Sequence, residues 1–114
     1  MKVYYLSHPY TGDEQANIAA VEQIAVDLCK QYQSCVFLNP LNAMRHEGIA
    51  DLPYDIALSH CIELLDRCEG IIMCNDNWRN SNGCTAEYNR AKETSKQIFL
   101  TIDEFKDYMN NRHK

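Results

Sequence analysis

Four short apolar segments, each followed by a segment with helical periodicity, constrain the fold of this chain most strongly. These segments are apolar at successive positions rather than at alternate ones, and they span residues 2–6, 35–38, 70–74 and 97–101. Strands that are apolar on both faces are typical of a parallel sheet covered by helices on both sides. Because crossovers between parallel strands are right-handed, the sequence predicts a small doubly wound α/β sheet, flavodoxin-like or Rossmann-like, with strand order 2-1-3-4.

The segments between these strands carry apolar residues at three- and four-residue spacing, which predicts helices. The predicted helices span residues 14–32, with Asp13 as N-cap, residues 54–68, a stretch running through Glu87 to about Ser95, and residues 103–111. Residues 39–53 are predicted to form a long loop, and loops of this length are usually functional or mobile. A chain of 114 residues can bury one core, which predicts a single domain over residues 1–114.

The composition argues against several classes of partner. A formal charge of −5, with no run of basic residues, argues against binding to a nucleic-acid polymer. The first apolar residues are too few for a signal peptide or a membrane span, so we expect a cytoplasmic protein without a membrane partner. The six cysteines form no C-x-x-C pair, which indicates reduced thiols rather than a metal site. The glycine-rich motifs for dinucleotides and for ATP are absent, so no cofactor is expected.

Two polar loops are predicted to meet at one end of the sheet. In the order 2-1-3-4 the direction of strand addition reverses between strands one and three, and open α/β sheets bind ligands at such a switch point. The loops that follow these two strands are residues 7–13 and 75–83, the most polar and turn-rich in the chain. The topology therefore predicts one pocket between the first loop and the segment from Asp76 to Glu87.

Glu87 is the first candidate for a catalytic residue in this pocket. A carboxylate near a helix N-terminus is held ionised by the helix dipole, which suits a nucleophile. Cleavage of a glycosidic bond generates an oxocarbenium-like centre that a carboxylate attacks or shields. The alternative is a surface glutamate that supports Arg90 three residues later on the same helix.

Other polar residues around the switch point have both a functional and a structural interpretation. The phenol of Tyr5, near the end of strand one, would hydrogen-bond the carboxylate, or Tyr5 is a tyrosine at the edge of the core. Ser81 and Asn82, together with the Gly83 amide, would bind an anion or a hydroxyl, or they form an ordinary helix cap. Gly83 also permits a positive φ in a tight turn.

The remaining candidates are an aromatic residue and several isolated polar ones. Trp78, the only tryptophan, either stacks on a ligand ring or closes over the core as a lid. His8 and Thr11 lie in the first loop, where they would contact a phosphate or a sugar. His60 and Glu63 lie in the middle of the second helix, where solvated positions are expected.

Several segments also form a recognisable pattern. Pro9 and Gly12 follow strand one, Asn39-Pro40 follows strand two, and Cys68-Glu69-Gly70-Ile71-Ile72 leads into strand three; then comes the block Trp78-x-x-Ser81-x-Gly83-Cys84-x-x-Glu87-x-x-x-Ala91. Together these segments resemble the nucleoside 2-deoxyribosyltransferase-like superfamily, in a branch of small bacterial and phage proteins. The resemblance covers almost the whole chain and is most specific in the last block.

This resemblance implies roles for three residues. Glu87 would be the nucleophile that attacks the anomeric carbon and releases the nucleobase, and Tyr5 would support it. Ser81 stands where relatives contact the 5′ end of the sugar, and a serine there favours a phosphorylated substrate because an aspartate would repel phosphate. Relatives complete their sites with a neighbouring subunit, so the resemblance also implies a homo-oligomer, a dimer or larger.

Two positions depart from the pattern of the superfamily. The aspartate that helps protonate the base corresponds to Cys61, so either Glu63 or His60 replaces it or the activity is lost. The arginine of the first loop corresponds to the neighbourhood of Thr11, and Arg79 is a candidate replacement.

Two functions that use this pocket therefore stay open at the level of sequence, besides a third interpretation as an assembly protein whose pocket is vestigial. The first is an N-glycosidase or deoxyribosyltransferase that cleaves a nucleoside or nucleoside 5′-monophosphate through a covalent glycosyl-Glu87 intermediate. The alternative is a non-catalytic nucleotide-binding or sensing module that uses the same pocket. In both cases the expected partner is a small-molecule nucleoside or nucleotide.

Overall fold

A single parallel sheet organises the computed structural model, which describes residues 1–45 and 51–112. Its strands are β1 (Lys2–Ser7), β2 (Cys35–Leu38), β3 (Gly70–Met73) and β4 (Gln97–Phe99). They are ordered β2-β1-β3-β4, and all neighbouring pairs are parallel. The predicted α/β sheet with strand order 2-1-3-4 is therefore confirmed.

Five α-helices connect and cover these strands in the described part of the chain. They are α1 (Glu14–Gln31), α2 (Pro40–Ala43), α3 (Tyr54–Asp66), α4 (Asn82–Glu93) and α5 (Ile102–Asn111). Asp13 caps α1 as predicted, because its carboxylate accepts a hydrogen bond from the Ala16 backbone N–H at 3.2 Å. A 3₁₀ turn over Trp78–Asn80 precedes α4. Of the helices in residues 1–45 and 51–112, none has the length and apolar character needed to cross a membrane.

The segment predicted as one long loop over residues 39–53 contains the short helix α2. The Asn39 side chain accepts a hydrogen bond from the Leu41 backbone N–H at 3.2 Å, and Pro40 occupies the first helical position. Proline is favoured there because its missing N–H would have no partner in the helix. The loop prediction was therefore wrong for this turn. Residues 46–50 of the same segment lie outside the described residues.

One face of the sheet packs against α1 and α5. Tyr4 and Leu6 of β1 are fully buried in this layer, together with Leu28 of α1 and Phe105 of α5. The Phe105 ring meets the Tyr4 ring edge to face, with 5.0 Å between centroids. This aromatic contact fixes α5 against the middle of the sheet.

The opposite face of the sheet packs against α3 and α4. Successive side chains of a strand point to opposite faces, so Tyr5 and Ser7 lie on the face opposite Tyr4. Tyr5 is fully buried with Leu65 of α3 and Ala91 of α4. Helices cover both faces as predicted, and the alternation of β1 directs two hydroxyl groups towards α4.

Candidate active site

Glu87 is a buried carboxylate in the middle of α4. Its exposed fraction is 7%, and burial raises its pKa from the ordinary value of 4.5 to about 7. The helix begins at Asn82, and its first turn contains no acidic residue. The prediction that the helix dipole holds Glu87 ionised was therefore wrong, since the dipole acts mainly within the first turn and burial has the larger effect.

Two hydroxyl groups of β1 hold the Glu87 carboxylate from one side. The Tyr5 hydroxyl donates a hydrogen bond to Oε2, and the Ser7 hydroxyl donates one to Oε1 at 2.8 Å. Both donors are completely buried, and their hydrogen bonds partly offset the effect of burial on the pKa of Glu87. The predicted hydrogen bond from Tyr5 is thus confirmed, although Tyr5 is also a core residue. Ser7 was missed as a candidate, even though it follows Tyr5 by two residues and therefore shares its face of the strand.

The alternative role for Glu87, a surface residue that supports Arg90, was wrong. Arg90 instead makes a bidentate pair with Asp66 at the end of α3, with both hydrogen bonds at 2.9 Å. This pair lies at the protein surface, where the side chains of Arg90 and Asp66 are 40% and 26% exposed. Among the described residues, the side chains that hydrogen-bond Glu87 are the uncharged ones of Tyr5 and Ser7.

Cys61 of α3 lies beside Tyr5 and Glu87. Burial and then the charge of Glu87 raise the pKa of the Cys61 thiol, so it is a neutral thiol at physiological pH. The two proposed replacements for the missing aspartate lie elsewhere: His60 is exposed, and Glu63 is exposed and pairs with Arg67 at 3.5 Å. Of Cys61, His60 and Glu63, Cys61 is therefore the residue that lines the same cavity as the Glu87 carboxylate.

A cavity of about 370 Å³ opens beside Glu87, and we call it the apolar cavity. Its apolar lining comes mainly from the region between α1 and α3 and includes Ile18, Leu41, Met44, Leu52 and Leu58. The polar lining includes His8, Thr11, Ser81 and Glu87. Its volume is in the range of small-molecule sites, and its mixture of an apolar wall with a few convergent polar groups is typical of them.

A second, more polar cavity of about 660 Å³ adjoins the first, and we call it the amide compartment. Five asparagines line it: Asn17, Asn75, Asn77, Asn80 and Asn82. Four residues line both cavities and form the boundary between them: Thr11, Tyr54, Ser81 and Gly83. Residues of both predicted loops, 7–13 and 75–83, line this cavity, so the prediction that the two loops meet at the switch point is confirmed.

Ser81 and Gly83 have structural roles at this boundary. The Ser81 hydroxyl accepts a hydrogen bond from the Cys84 backbone N–H at 3.2 Å, so the helix-cap interpretation is confirmed. Gly83 lies within α4, and the expected positive φ is found instead at Gly12, with a φ of 112°. A Cβ atom at Gly83 would lie 3.5 Å from the Tyr54 hydroxyl, which is an ordinary van der Waals distance.

Trp78 and Arg79 do not line either cavity. Trp78 is 3% exposed and packs on Tyr88 with 4.8 Å between ring centroids, which fits the lid over the core rather than a stacking platform. Arg79 places its guanidinium group 4.4 Å from the centre of the Trp78 ring. The 3₁₀ turn packs against α4, and the Arg79 guanidinium lies over the Trp78 ring, so Arg79 is not positioned to replace the first-loop arginine.

His8 and Thr11 do line the apolar cavity, as the sequence predicted. The His8 ring is buried, and its Nδ1 lies 2.8 Å from the Pro9 carbonyl oxygen. Because a carbonyl oxygen only accepts hydrogen bonds, Nδ1 carries a proton. In the neutral ring, Nε2 is then an acceptor for a ligand hydroxyl.

Tyr54 and Cys84 line the apolar cavity and were missed as candidates. Cys84 is 2% exposed, and its thiol lies next to the hydroxyls of Ser7 and Ser81. Tyr54 is 58% exposed despite lining both cavities, which places it at their mouth. Tyr54 follows Pro53 at the start of a predicted helix, and its exposed position has no local sequence signal.

Within residues 1–45 and 51–112, no group of three or more His, Cys, Asp or Glu side chains could hold a metal ion. The six cysteines are all free thiols.

The chain shares its fold with a known enzyme. A family model described as "Domain of unknown function (DUF4406)" matches residues 1–100. Among solved structures, the chain is similar to one described as "2-desoxiribosyltransferase from Leishmania mexicana", with 16% sequence identity and a TM-score of 0.62. The similarity covers 89% of this chain and 63% of that chain, so this chain spans less than two thirds of its length. A search of curated proteins finds no match. At this level of identity the likeness shows a shared fold.

Proposed function

The chain belongs to the DUF4406 family, and we propose that it is an N-glycosidase or deoxyribosyltransferase acting on a nucleoside or nucleoside 5′-monophosphate. One observation carries the proposal: a buried carboxylate, Glu87, is held by two hydroxyl groups at the wall of a cavity of about 370 Å³. A buried carboxylate with a strongly raised pKa is typical of catalytic sites. The shared fold with a solved structure named as a 2-deoxyribosyltransferase supports the choice of reaction.

The proposed reaction has two displacement steps at the anomeric carbon of the sugar. Glu87 attacks this carbon, and the bond to the base breaks with its electron pair going to the base, which takes up a proton. Water or a second base then attacks the same carbon, displaces the Glu87 carboxylate and loses a proton. The first outcome is hydrolysis, and the second is transfer of the sugar to another base.

The surroundings of Glu87 suit the first displacement. With a pKa of about 7, a substantial fraction of Glu87 is ionised at neutral pH and available as a nucleophile. Tyr5 stays protonated because burial, and then the charge of Glu87, raise its pKa well above the ordinary value. Tyr5 and Ser7 therefore remain hydrogen-bond donors that orient both carboxylate oxygens.

The lining of the apolar cavity suggests how a nucleoside would be oriented. The flat faces of a nucleobase would pack on the wall that contains Leu41, Met44 and Leu58. The sugar hydroxyls would face the polar side, where His8 and Ser81 offer hydrogen-bond partners. This orientation places the bond between sugar and base next to Glu87.

The Cys61 position favours the alternative, a nucleotide-binding or sensing module without catalysis. A neutral thiol is a weak acid for protonating a departing base, and the exposed positions of His60 and Glu63 leave them unable to assist. Such a module would bind the same ligands in the same cavity without releasing a base.

A chromatographic assay for free base distinguishes the two functions. The protein is incubated with a panel of nucleosides, their 5′-monophosphates and NAD, beside the variant Glu87→Gln. The matched control is Glu93→Gln, because Glu93 lies on the exposed surface of the same helix. Base release that Glu87→Gln loses and Glu93→Gln keeps is the expected result.

Two other results would contradict the proposed mechanism or the proposed catalysis. Base release that persists in Glu87→Gln would show that Glu87 is not the nucleophile. No release by the wild type, together with an increase in melting temperature in the presence of the same ligands, would establish the binding module.

We also propose that the protein forms a homo-oligomer. Large side chains around the mouth of the apolar cavity are exposed, including Tyr54 at 58% and Tyr10 at 46%, and neighbouring Ile56 is exposed at 41%. Association of copies through this area would remove apolar surface from water. Light scattering on the wild type and on Ile56→Glu tests this, and an unchanged molar mass in both, equal to that of one chain, would contradict it.

A further inference from the structure

The apolar cavity can hold a nucleoside without help from the amide compartment. Its volume of about 370 Å³ already lies within the range of small-molecule sites, and the amide compartment adds about 660 Å³. Glu87 lines only the apolar cavity, so the reacting bond would lie there. The amide compartment is therefore available to a part of the ligand that does not react.

The boundary residues indicate which end of the ligand reaches this compartment. With the base against the apolar wall, the far end of the sugar points to the boundary formed by Ser81, Gly83 and Thr11. The two cavities share four lining residues, so they adjoin each other at this boundary. A group attached to the far end of the sugar would therefore lie next to the amide compartment.

The lining of the amide compartment is polar but uncharged. Among the described residues that line it there is no Lys, Arg, Asp or Glu. Two of its amides are engaged internally: Asn17 donates to the Tyr10 carbonyl at 3.0 Å, and Asn75 accepts from the Asn77 backbone N–H at 2.8 Å. Within the described part of the chain, the side chains of the other three, Asn77, Asn80 and Asn82, make no such hydrogen bond, so all three can bind a ligand.

The chemistry of these side chains selects the ligand group. An amide side chain both donates and accepts hydrogen bonds, which matches hydroxyl and amide groups. Phosphate groups are instead bound most strongly by Arg and Lys, and the nearby guanidinium of Arg79 lies over the Trp78 ring. A phosphate in the amide compartment would therefore lack a cationic partner from its lining.

We propose that the amide compartment binds an uncharged extension, rich in hydroxyl or amide groups, attached to the far end of the sugar of the nucleoside. A second sugar is the simplest such extension. This inference rests on the proposed function for the orientation of the ligand. It differs from the expectation based on Ser81 alone, which favoured a phosphorylated substrate, because it assigns an uncharged group to the far end of the sugar.

Binding of three matched probes to Glu87→Gln tests the proposal without turnover. The probes are a nucleoside, its 5′-monophosphate and its 5′-O-glucosyl derivative, each made with adenine, cytosine, guanine and thymine. Calorimetry is expected to give the glucosyl probe the lowest Kd for the preferred base, by about tenfold over the plain nucleoside. Its Kd should change little between about 50 mM and about 500 mM salt, because an uncharged group is not screened.

Two asparagine variants and one control locate the bound extension. Asn77→Ala and Asn80→Ala are expected to lose about tenfold in affinity for the glucosyl probe and to bind the plain nucleoside as before. The control is Asn89→Ala, because Asn89 lies on the exposed surface of α4 and lines neither cavity. This control should bind all three probes like the parent protein.

The proposal and the function on which it rests can fail separately. Tighter binding of the 5′-monophosphate than of the glucosyl probe would overturn the inference, as would equal binding of the glucosyl probe by the two asparagine variants and the parent. Neither result affects base release by the wild type. Conversely, a wild type that releases no base but shows the expected order of Kd values would refute the proposed catalysis and keep the inference.

Discussion

Two carboxylates on neighbouring helices lie in opposite surroundings. Asp66 at the end of α3 lies near the surface in a bidentate pair with Arg90, and hydrogen bonds from Arg90 lower its pKa. Glu87 in the middle of α4 is buried, accepts hydrogen bonds from the neutral hydroxyls of Tyr5 and Ser7, and has its pKa raised to about 7. The paired surface carboxylate links two helices, whereas the buried one lies at the wall of a cavity.

The largest expected effect is the loss of activity on removing the charge of Glu87. Glu87→Gln should reduce base release by about 10³-fold or more, because an amide is a poor nucleophile. Asp66→Asn removes the other charge and should leave the rate within about twofold, since Asp66 lines neither cavity. Rates measured with the same substrate decide between these expectations. If both variants lost base release to a similar extent, Glu87 would not have the special role in the reaction that its surroundings predict.

The second expected effect is a difference in how stability depends on pH. The folded-state pKa of Glu87 is above its ordinary value of 4.5, so its contribution to stability is fully present below about pH 4.5 and is lost as the pH rises through about 7. The loss amounts to about 3 kcal/mol above pH 7, at 1.36 kcal/mol for each unit of pKa. The stability of Glu87→Gln should not show this decrease, because glutamine does not titrate.

Denaturant unfolding at about pH 5 and about pH 8 measures this difference. The wild type is expected to lose more unfolding free energy than Glu87→Gln between the two conditions. Glu93→Gln serves as control, because it removes an exposed carboxylate from the same helix and should follow the wild type. Parallel changes in the wild type and Glu87→Gln would show that Glu87 titrates at its ordinary pKa.

The fold could be predicted from the sequence, whereas the raised pKa of Glu87 could not. The fold was predictable because apolar strand segments and helical periodicity are local signals, and right-handed crossovers then fix the strand order. The pairing of Glu87 with Tyr5 followed from this topology. The burial of Glu87 depends on α3, which packs against α4 from another part of the chain, so local sequence signals do not reveal that desolvation outweighs the dipole.

Two other errors have equally specific causes. The alternative that paired Arg90 with Glu87 rested on helical spacing, but the partner of Arg90 is Asp66, which is 24 residues away and is brought close by packing of α3 on α4. Ser7 was assigned to the loop because strand one was predicted to end at residue 6, one residue too early. A boundary error of one residue therefore hid a hydroxyl group that contacts the carboxylate.

Removal of the Ser7 hydroxyl should have an intermediate effect on the Glu87 site. Its hydrogen bond favours the ionised carboxylate, so Ser7→Ala should raise the pKa of Glu87 and shift the rising part of the pH–rate profile to higher pH. At pH 7 the rate should fall by about tenfold. Ser7→Thr keeps the hydroxyl and should restore the profile. A lower rate with an unshifted profile would assign Ser7 a purely structural role.

A new carboxylate at position 61 would test whether protonation of the base limits the reaction. Cys61→Asp places an acid beside Glu87, and both burial and the like charge would keep that acid protonated near neutral pH. Release of base should then increase by about tenfold, because a general acid can assist the departing base. Cys61→Asn, which is similar in shape but cannot donate an acidic proton, is the control. An equal rate in the two variants would show that another step limits turnover.

The smallest expected effect concerns the surface pair of Asp66 and Arg90. The lowered pKa of Asp66 means that its contribution to stability is present above its ordinary pKa of 3.8 and is lost as the pH falls through the lower folded-state value. Because the pair is partly exposed, Asp66→Asn should lower the melting temperature only slightly, and high salt should reduce the difference further. Thermal unfolding at low and high salt provides the measurement. A large, salt-independent loss would instead mean that this pair, like the Glu87 site, is effectively shielded from solvent.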